Sequence, residues 1–175
     1  MDNKSKMEDY IQNSLLETRS LLKKISESKK FILDIKQASN LIIDSIKGNH
    51  CIFIAGNGGS AAHSQHFAAE LVSRFNFDRN PLPSVALTTD TSIITAIAND
   101  YGYEKLFERQ LKGLSKAGDV FIGLTTSGKS RNIIKAFEQA KNMNLLTIGI
   151  CGANGIYDFT PDIEISIPSE KTPLI

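Results

Sequence analysis

Residues 53–75 read FIAGNGGSAAHSQHFAAELVSRF, and the pattern changes at Gly56. Before it, Phe53, Ile54 and Ala55 end a short apolar run. After it, three glycines within four positions lead into a stretch of helical composition opening at Ser60. A strand, a tight turn and a helix follow directly from this order, with Ser60 expected at the helix N-cap. Glycines let the backbone turn sharply and bring its N–H groups close to an anion, and a helix amino terminus adds a favourable field. Many such turns only connect elements, so the stretch by itself leaves open whether anything binds there.

Outward from it, the same alternation repeats. HCIFIA (50–55), SVAL (84–87), DVFIGL (119–124), LLTIGI (145–150) and DIEISI (162–167) read as strands, and helical patterns open near Ser60, Thr91, Tyr103 and Lys129. Strands that are apolar on both faces are covered on both faces. The fold class expected is therefore α/β: a doubly wound three-layer sandwich around a mainly parallel five-stranded sheet. Upstream, Met7, Ile11, Leu15, Leu22 and Ile25 recur at three-to-four-residue spacing, and a second helix runs from about Phe31 to Lys47, stopping at Gly48-Asn49. Leu16 and Leu21 widen the first stripe beyond one packing face, which points to a further contact, such as another subunit. The organisation expected is one domain over 1–175, with N-terminal helices over 1–48, an oligomerisation segment, and the α/β core over 49–175.

Composition narrows the function classes. Twenty Lys and Arg against 19 Asp and Glu leave a net charge of +1, which suggests neither a nucleic-acid partner nor an acidic membrane. No apolar run is long enough to span a bilayer, and the amino terminus has no signal-peptide core, so a cytoplasmic location is expected. Cys51 and Cys151 stand at apolar strand ends and read as buried free thiols.

In a parallel α/β sheet, ligands bind beyond the carboxyl ends of the strands. Two places qualify: the Gly56–Ser60 turn and the segment Thr125-Thr126-Ser127-Gly128-Lys129-Ser130. The hydroxyls of Ser60, Thr125, Ser127 and Ser130, with nearby backbone N–H groups, match the acceptor-rich surface of a phosphate monoester. Neither the Walker nor the dinucleotide glycine pattern is present. Lys129 reads as a solvent-exposed first-turn lysine. On the helix after the glycines, His66 and Glu70 stand four apart and share a face, with His63 close by. That pair suits a divalent metal or a carboxylate base, and equally an ordinary helical surface pair. Spacing alone does not choose.

Four segments taken together, GNGGSAAHSQHFAAELVSRF, LTTDTSIITAIANDYGYEKLFERQL, GDVFIGLTTSGKSRNIIKAF and DIEISIPSEKTP, resemble the phosphoheptose isomerases of the sugar isomerase (SIS) domain superfamily. The resemblance implies the SIS fold and conversion of sedoheptulose 7-phosphate to D-glycero-D-manno-heptose 7-phosphate through an enediol, the first step toward bacterial surface heptose of lipopolysaccharide or capsule. It also implies a homotetramer with active sites between subunits and one zinc per subunit. By position it makes Asn57, Gly58 and Gly59 substrate contacts, Ser60, Thr125, Thr126, Ser127 and Ser130 phosphate and sugar binders, and Asn99 and Asp100 a further substrate-binding pair. His66 and Glu70 become zinc ligands, and Glu70 the catalytic base, also touching substrate. The family carries Asn where this chain has Lys129, and more often Ser where it has Thr125. Its pattern continues beyond the T-P-x-I-like segment Thr172–Ile175 with a helix bearing a Gln and a His that complete the metal site, so a C-terminal helix is expected to be missing here. The rival class is a non-catalytic SIS protein that binds a partner such as the replication initiator. In that group the position of Glu70 is not a carboxylate.

Overall fold

The computed structural model describes residues 3–175, so the first two residues of the expected 1–48 helical segment lie outside the described ones. Two helices lead, α1 (Asn3–Glu27) and α2 (Lys29–Lys47). They are divided at Ser28, whose extended backbone and hydroxyl cap α2 by accepting from the Phe31 N–H at 3.2 Å. The core follows as β1 (Ile52–Ala55), α3 (Gly59–Val72), β2 (Ser84–Ala86), α4 (Thr91–Tyr101), α5 (Leu106–Leu114), β3 (Val120–Thr125), α6 (Arg131–Asn142), β4 (Leu146–Cys151) and β5 (Ile163–Ser166). Short 3-10 turns occupy Tyr103–Lys105 and Thr172–Leu174.

The five strands form one sheet in the order β2-β1-β3-β4-β5, every pair parallel. Because successive side chains alternate between faces, the apolar strands feed two cores at once. Phe53, Phe121 and Ala55 meet Leu106, Phe107, Ile133 and Phe137 on one side. On the other, Ile52, Ile54, Val120, Ile122 and Ile148 meet α2 and α3 through Ala38 and Ala68. The doubly wound sandwich is thus the observed architecture. Phe137 seals the first core edge-on to Phe121, with ring centroids 5.0 Å apart. Gly123 lies beneath that ring: a Cβ there would stand 2.5 Å from Phe137 Cζ.

The chain steps from β1 outward to β2, then returns to the other side of β1 with β3. This reversal of winding places a crevice between the carboxyl ends of β1 and β3, which are paired from Ile52–Val120 to Ala55–Gly123. Both loops singled out from sequence, Gly56–Ser60 and Thr125–Ser130, leave from those two ends.

Several local expectations shift. Helix α3 begins at Gly59 with Gly58 as N-cap, so Ser60 lies in the first turn instead of capping it. Gly58 has φ 54°, a left-handed conformation that a serine would resist. Helix α6 begins at Arg131 with Ser130 as its cap, two residues later than the pattern suggested, because Gly128 at φ 70° delays helical geometry. Tyr103 opens a 3-10 turn, and α5 starts at Leu106. Helix α3 buries only Ser64 and Ala68, since a single face meets the sheet, and the apolar Phe67 and Val72 are exposed. On α1 the stripe Met7, Ile11, Leu15 and Leu22 is exposed, and Leu21 is the buried residue.

Candidate active site

The crevice between β1 and β3 holds a cleft of about 170 Å³. Asn57, Gly59, Ser60, Thr125 and Thr126 line it, with His63 one turn further along α3. The structure therefore brings one residue set from each loop into a single depression. Gly58 and Gly59 are open on the side a Cβ would occupy, with no atom within 4 Å, so a ligand can approach the backbone there. Their N–H groups find no acceptor within the described chain, whereas those of Ser60 and Ala61 turn back to the carbonyls of Asn57 and Gly58. Gly56 serves closure instead: a Cβ on it would meet Ser60 Cβ at 2.6 Å.

The second wall is held from behind. Thr125 is buried, and its hydroxyl donates to Ser130 Oγ at 3.0 Å, which ties the two ends of the loop together. Ser127 is exposed, and its Oγ accepts from the Lys129 N–H at 3.2 Å. Gly128 packs its Cα so closely on the Gly155 carbonyl that no side chain fits, while its own carbonyl accepts from the Tyr157 N–H at 3.0 Å. Lys129 is exposed, as expected. Its ammonium rests 4.8 Å from the Tyr157 ring centroid and does not line the cleft.

Gly58, Ser127 and Ser130 belong to the same two loops without lining the cleft itself, and the remaining expected residues lie outside it. His66 and Glu70 line a separate depression on the outward face of α3, with Phe67, Leu71, Phe75 and Arg79. His66 Nε2 stands 3.9 Å from Glu70 Oε1, with the imidazole exposed and the carboxylate half-buried. One imidazole nitrogen and one carboxylate at this separation suit two positions on a shared divalent ion. Among the described residues no third His, Cys, Asp or Glu joins them. Asn99 and Asp100 sit at the end of α4, where Asn99 Nδ2 donates to Asp100 Oδ1 at 2.8 Å and Asp100 borders a third hollow beside Tyr101 and Arg109.

Three residues to which the sequence reading gave no site role support these sites. Arg79 donates to the carbonyls of Glu70 at 2.6 Å and Leu71 at 2.8 Å, so it satisfies the carboxyl end of α3 and fixes the turn carrying Glu70. Asn132, only 3% exposed, exchanges two hydrogen bonds with Asn57, at 2.9 and 2.8 Å. Tyr103 donates its hydroxyl to Asn57 Oδ1 at 2.9 Å. All three depend on contacts 8 to 75 residues apart, which no periodicity displays. The cysteines take no part: burial pushes the Cys51 thiol up, with Asp119 adding to it, and burial raises Cys151 to about 11. Both stay protonated and unreactive near neutral pH.

A family model described as SIS domain matches residues 15–152. The chain is 45% identical over 170 residues to the phosphoheptose isomerase of Sulfurimonas denitrificans, covering 97% of this chain and 87% of that one. It is 46% identical over 174 residues to the phosphoheptose isomerase of Aneurinibacillus thermoaerophilus, covering 97% and 86%. Among solved structures, phosphoheptose isomerase GmhA from Neisseria gonorrhoeae superposes with a TM-score of 0.88 at 33% identity, over 96% of this chain and 89% of that one. A phosphoheptose isomerase from Francisella tularensis gives 0.85 at 29% identity, over 99% and 90%. A fold set by β1, β3 and their two loops, matched along nearly its whole length by these relatives, places the chain by descent: it belongs to the phosphoheptose isomerase family of SIS-domain proteins.

Proposed function

We propose that this protein is an aldose–ketose isomerase that interconverts sedoheptulose 7-phosphate and D-glycero-D-manno-heptose 7-phosphate in bacterial heptose biosynthesis. The observation that carries this reading is the convergence of the Gly56–Ser60 and Thr125–Ser130 loops on one cleft at the reversal of sheet winding, in a chain of this family. There the free N–H groups of Gly58 and Gly59 and the hydroxyls of Ser60, Thr125, Ser127 and Ser130, with Thr126, serve the phosphate and sugar oxygens. Asn57 supplies an amide to the same ligand, and Asn99 and Asp100 complete the sugar contacts.

Glu70 acts as the base. Its carboxylate takes the proton from the carbon beside the ketose carbonyl, leaving an enediolate; a hydroxyl proton passes from one oxygen to the other, and Glu70 returns its proton to the neighbouring carbon to give the aldose. Arg79 holds the backbone of that turn through two carbonyls, so the carboxylate is presented from a fixed position. His66 and Glu70 are two zinc ligands in this reading. Zinc, when bound, supplies positive charge that stabilises the enediolate oxygens.

Within one chain the phosphate cleft and the His66–Glu70 pair face different depressions, and the apolar surface around the second is exposed. Phe67 and Val72 on α3, with the α1 stripe, support a homotetramer whose active sites lie between subunits. Among the described residues no helix is long and apolar enough to cross a membrane. We place the reaction in the cytoplasm, where sugar phosphates are made.

The test is conversion of sedoheptulose 7-phosphate, followed by the appearance of the aldose product, with and without a chelator. Turnover that falls at least tenfold on chelation and returns with zinc is the expected result. Absence of conversion by folded, zinc-supplied protein overturns the proposal.

A further inference from the structure

Three loops of this chain meet on one amide. Asn57 comes from the turn after β1, Asn132 from the first turn of α6, and Tyr103 from the 3-10 turn after α4. An asparagine carbonyl oxygen has two acceptor positions and its NH₂ group two donors. Both acceptor positions of Asn57 are taken, by the Tyr103 hydroxyl at 2.9 Å and by Asn132 Nδ2 at 2.8 Å. One donor is taken as well, by Asn132 Oδ1 at 2.9 Å. A single N–H remains on a side chain that lines the phosphate cleft.

We infer that Asn132 and Tyr103 are positioning residues that lock the Asn57 amide so that it meets substrate as a donor of one N–H to a substrate oxygen. The inference deepens the isomerase reading above and rests on it for its kinetic arm. Turning the Asn57 amide over alone would set its NH₂ against the NH₂ of Asn132 and leave two carbonyl oxygens facing each other. Asn132 has no alternative environment, because its side chain is buried and an unpaired amide there is costly. Tyr103 is 56% exposed, so its hydroxyl gives up water to make this contact and can be removed with little disturbance to packing. The same node joins the α4–α5 connection, which follows directly on Asn99 and Asp100, to the two loops of the cleft.

The experiment is a double-mutant cycle. Tyr103→Phe is compared with wild type, and then in an Asn57→Ala background, by kcat/KM for sedoheptulose 7-phosphate. Loss of one hydrogen bond that acts through Asn57 lowers kcat/KM about three- to tenfold in the first comparison and less than twofold in the second. Asn132→Asp keeps the acceptor for Asn57 Nδ2 but removes the donor, so its loss also disappears in the Asn57→Ala background. Melting temperature of Tyr103→Phe stays within about 2 °C of wild type, which separates positioning from a structural effect. Equal losses in both backgrounds, or no loss in the first, overturn the inference. A second arm is independent of activity: the Asn57 side-chain amide protons, followed by NMR, exchange with solvent at least about threefold faster in Tyr103→Phe. An unchanged exchange rate overturns the lock even if the protein proves to isomerise nothing, and inactive wild-type enzyme with the faster exchange overturns only the isomerase reading.

Discussion

The two sides of α3 differ in how much of their geometry the chain itself completes. On the inner side the helix is fixed by Gly56 packing on Ser60, by Ser64 donating to the Ser60 carbonyl at 2.8 Å, and by Ala68 against the sheet. The cleft beside it is walled by two loops bound through Thr125–Ser130, Asn57–Asn132 and Gly128–Gly155. On the outer side His66 and Glu70 stand 3.9 Å apart with exposed Phe67 and Phe75 around them. The proposed phosphate cradle can be built from one chain because its donors are backbone groups and short hydroxyls next to the strands that hold them. In the proposed roles of base and zinc ligands, Glu70 and His66 on an uncovered helix face need water excluded before their electrostatics are strong, and one chain leaves that face open.

The inner side is broken most directly by Ser60→Ala combined with Ser127→Ala. Two hydrogen bonds to a charged group, each worth roughly 1.5 to 3 kcal/mol, are removed. Calorimetric titration with sedoheptulose 7-phosphate should show affinity lower by at least about tenfold. A smaller loss would place the phosphate elsewhere. The outer side is sharpened through assembly. Leu15 and Leu22 are 67% and 61% exposed on α1, and burying a leucine is worth about 1.5 to 3 kcal/mol. Leu15→Glu with Leu22→Glu should therefore shift light scattering from a tetramer to smaller species. An unchanged mass would remove α1 from the interface.

The fold was legible because its strands are short apolar runs covered on both faces, and Ile52–Ala55 and Val120–Gly123 are buried throughout. The two loops were legible because glycine and hydroxyl residues are concentrated at strand ends. Burial on α3 and α1 was not, because apolar spacing tells which residues share a face and not what covers that face. Phe67 and Leu15 carry the same signal whether the partner is the sheet or another chain. The support from Asn132, Tyr103 and Arg79 was illegible for another reason. Polar side chains have no period, and each of these acts on a residue far along the chain or across a turn.

The N-cap expectation for Ser60 failed on a single backbone angle. A hydroxyl at the first polar position after a glycine run looks like a cap, but Gly58 takes the left-handed conformation and caps the helix two residues earlier. The consequence favours binding. The Ser60 side chain is left free of capping and lines the cleft, while two glycine N–H groups stand ahead of it.

Both sides of α3 belong to one reaction in this account, the inner side holding substrate and the outer side carrying the base. Glu70→Gln tests this most directly, because glutamine keeps the shape of the side chain and cannot accept the proton. Turnover of sedoheptulose 7-phosphate should fall by about 10² to 10⁴, the usual size of general-base catalysis, while calorimetric affinity for the sugar phosphate stays within about threefold of wild type. Zinc content is measured on the same samples, so that loss of the base is distinguished from loss of the ion. Near-normal turnover by Glu70→Gln with intact binding would contradict the account.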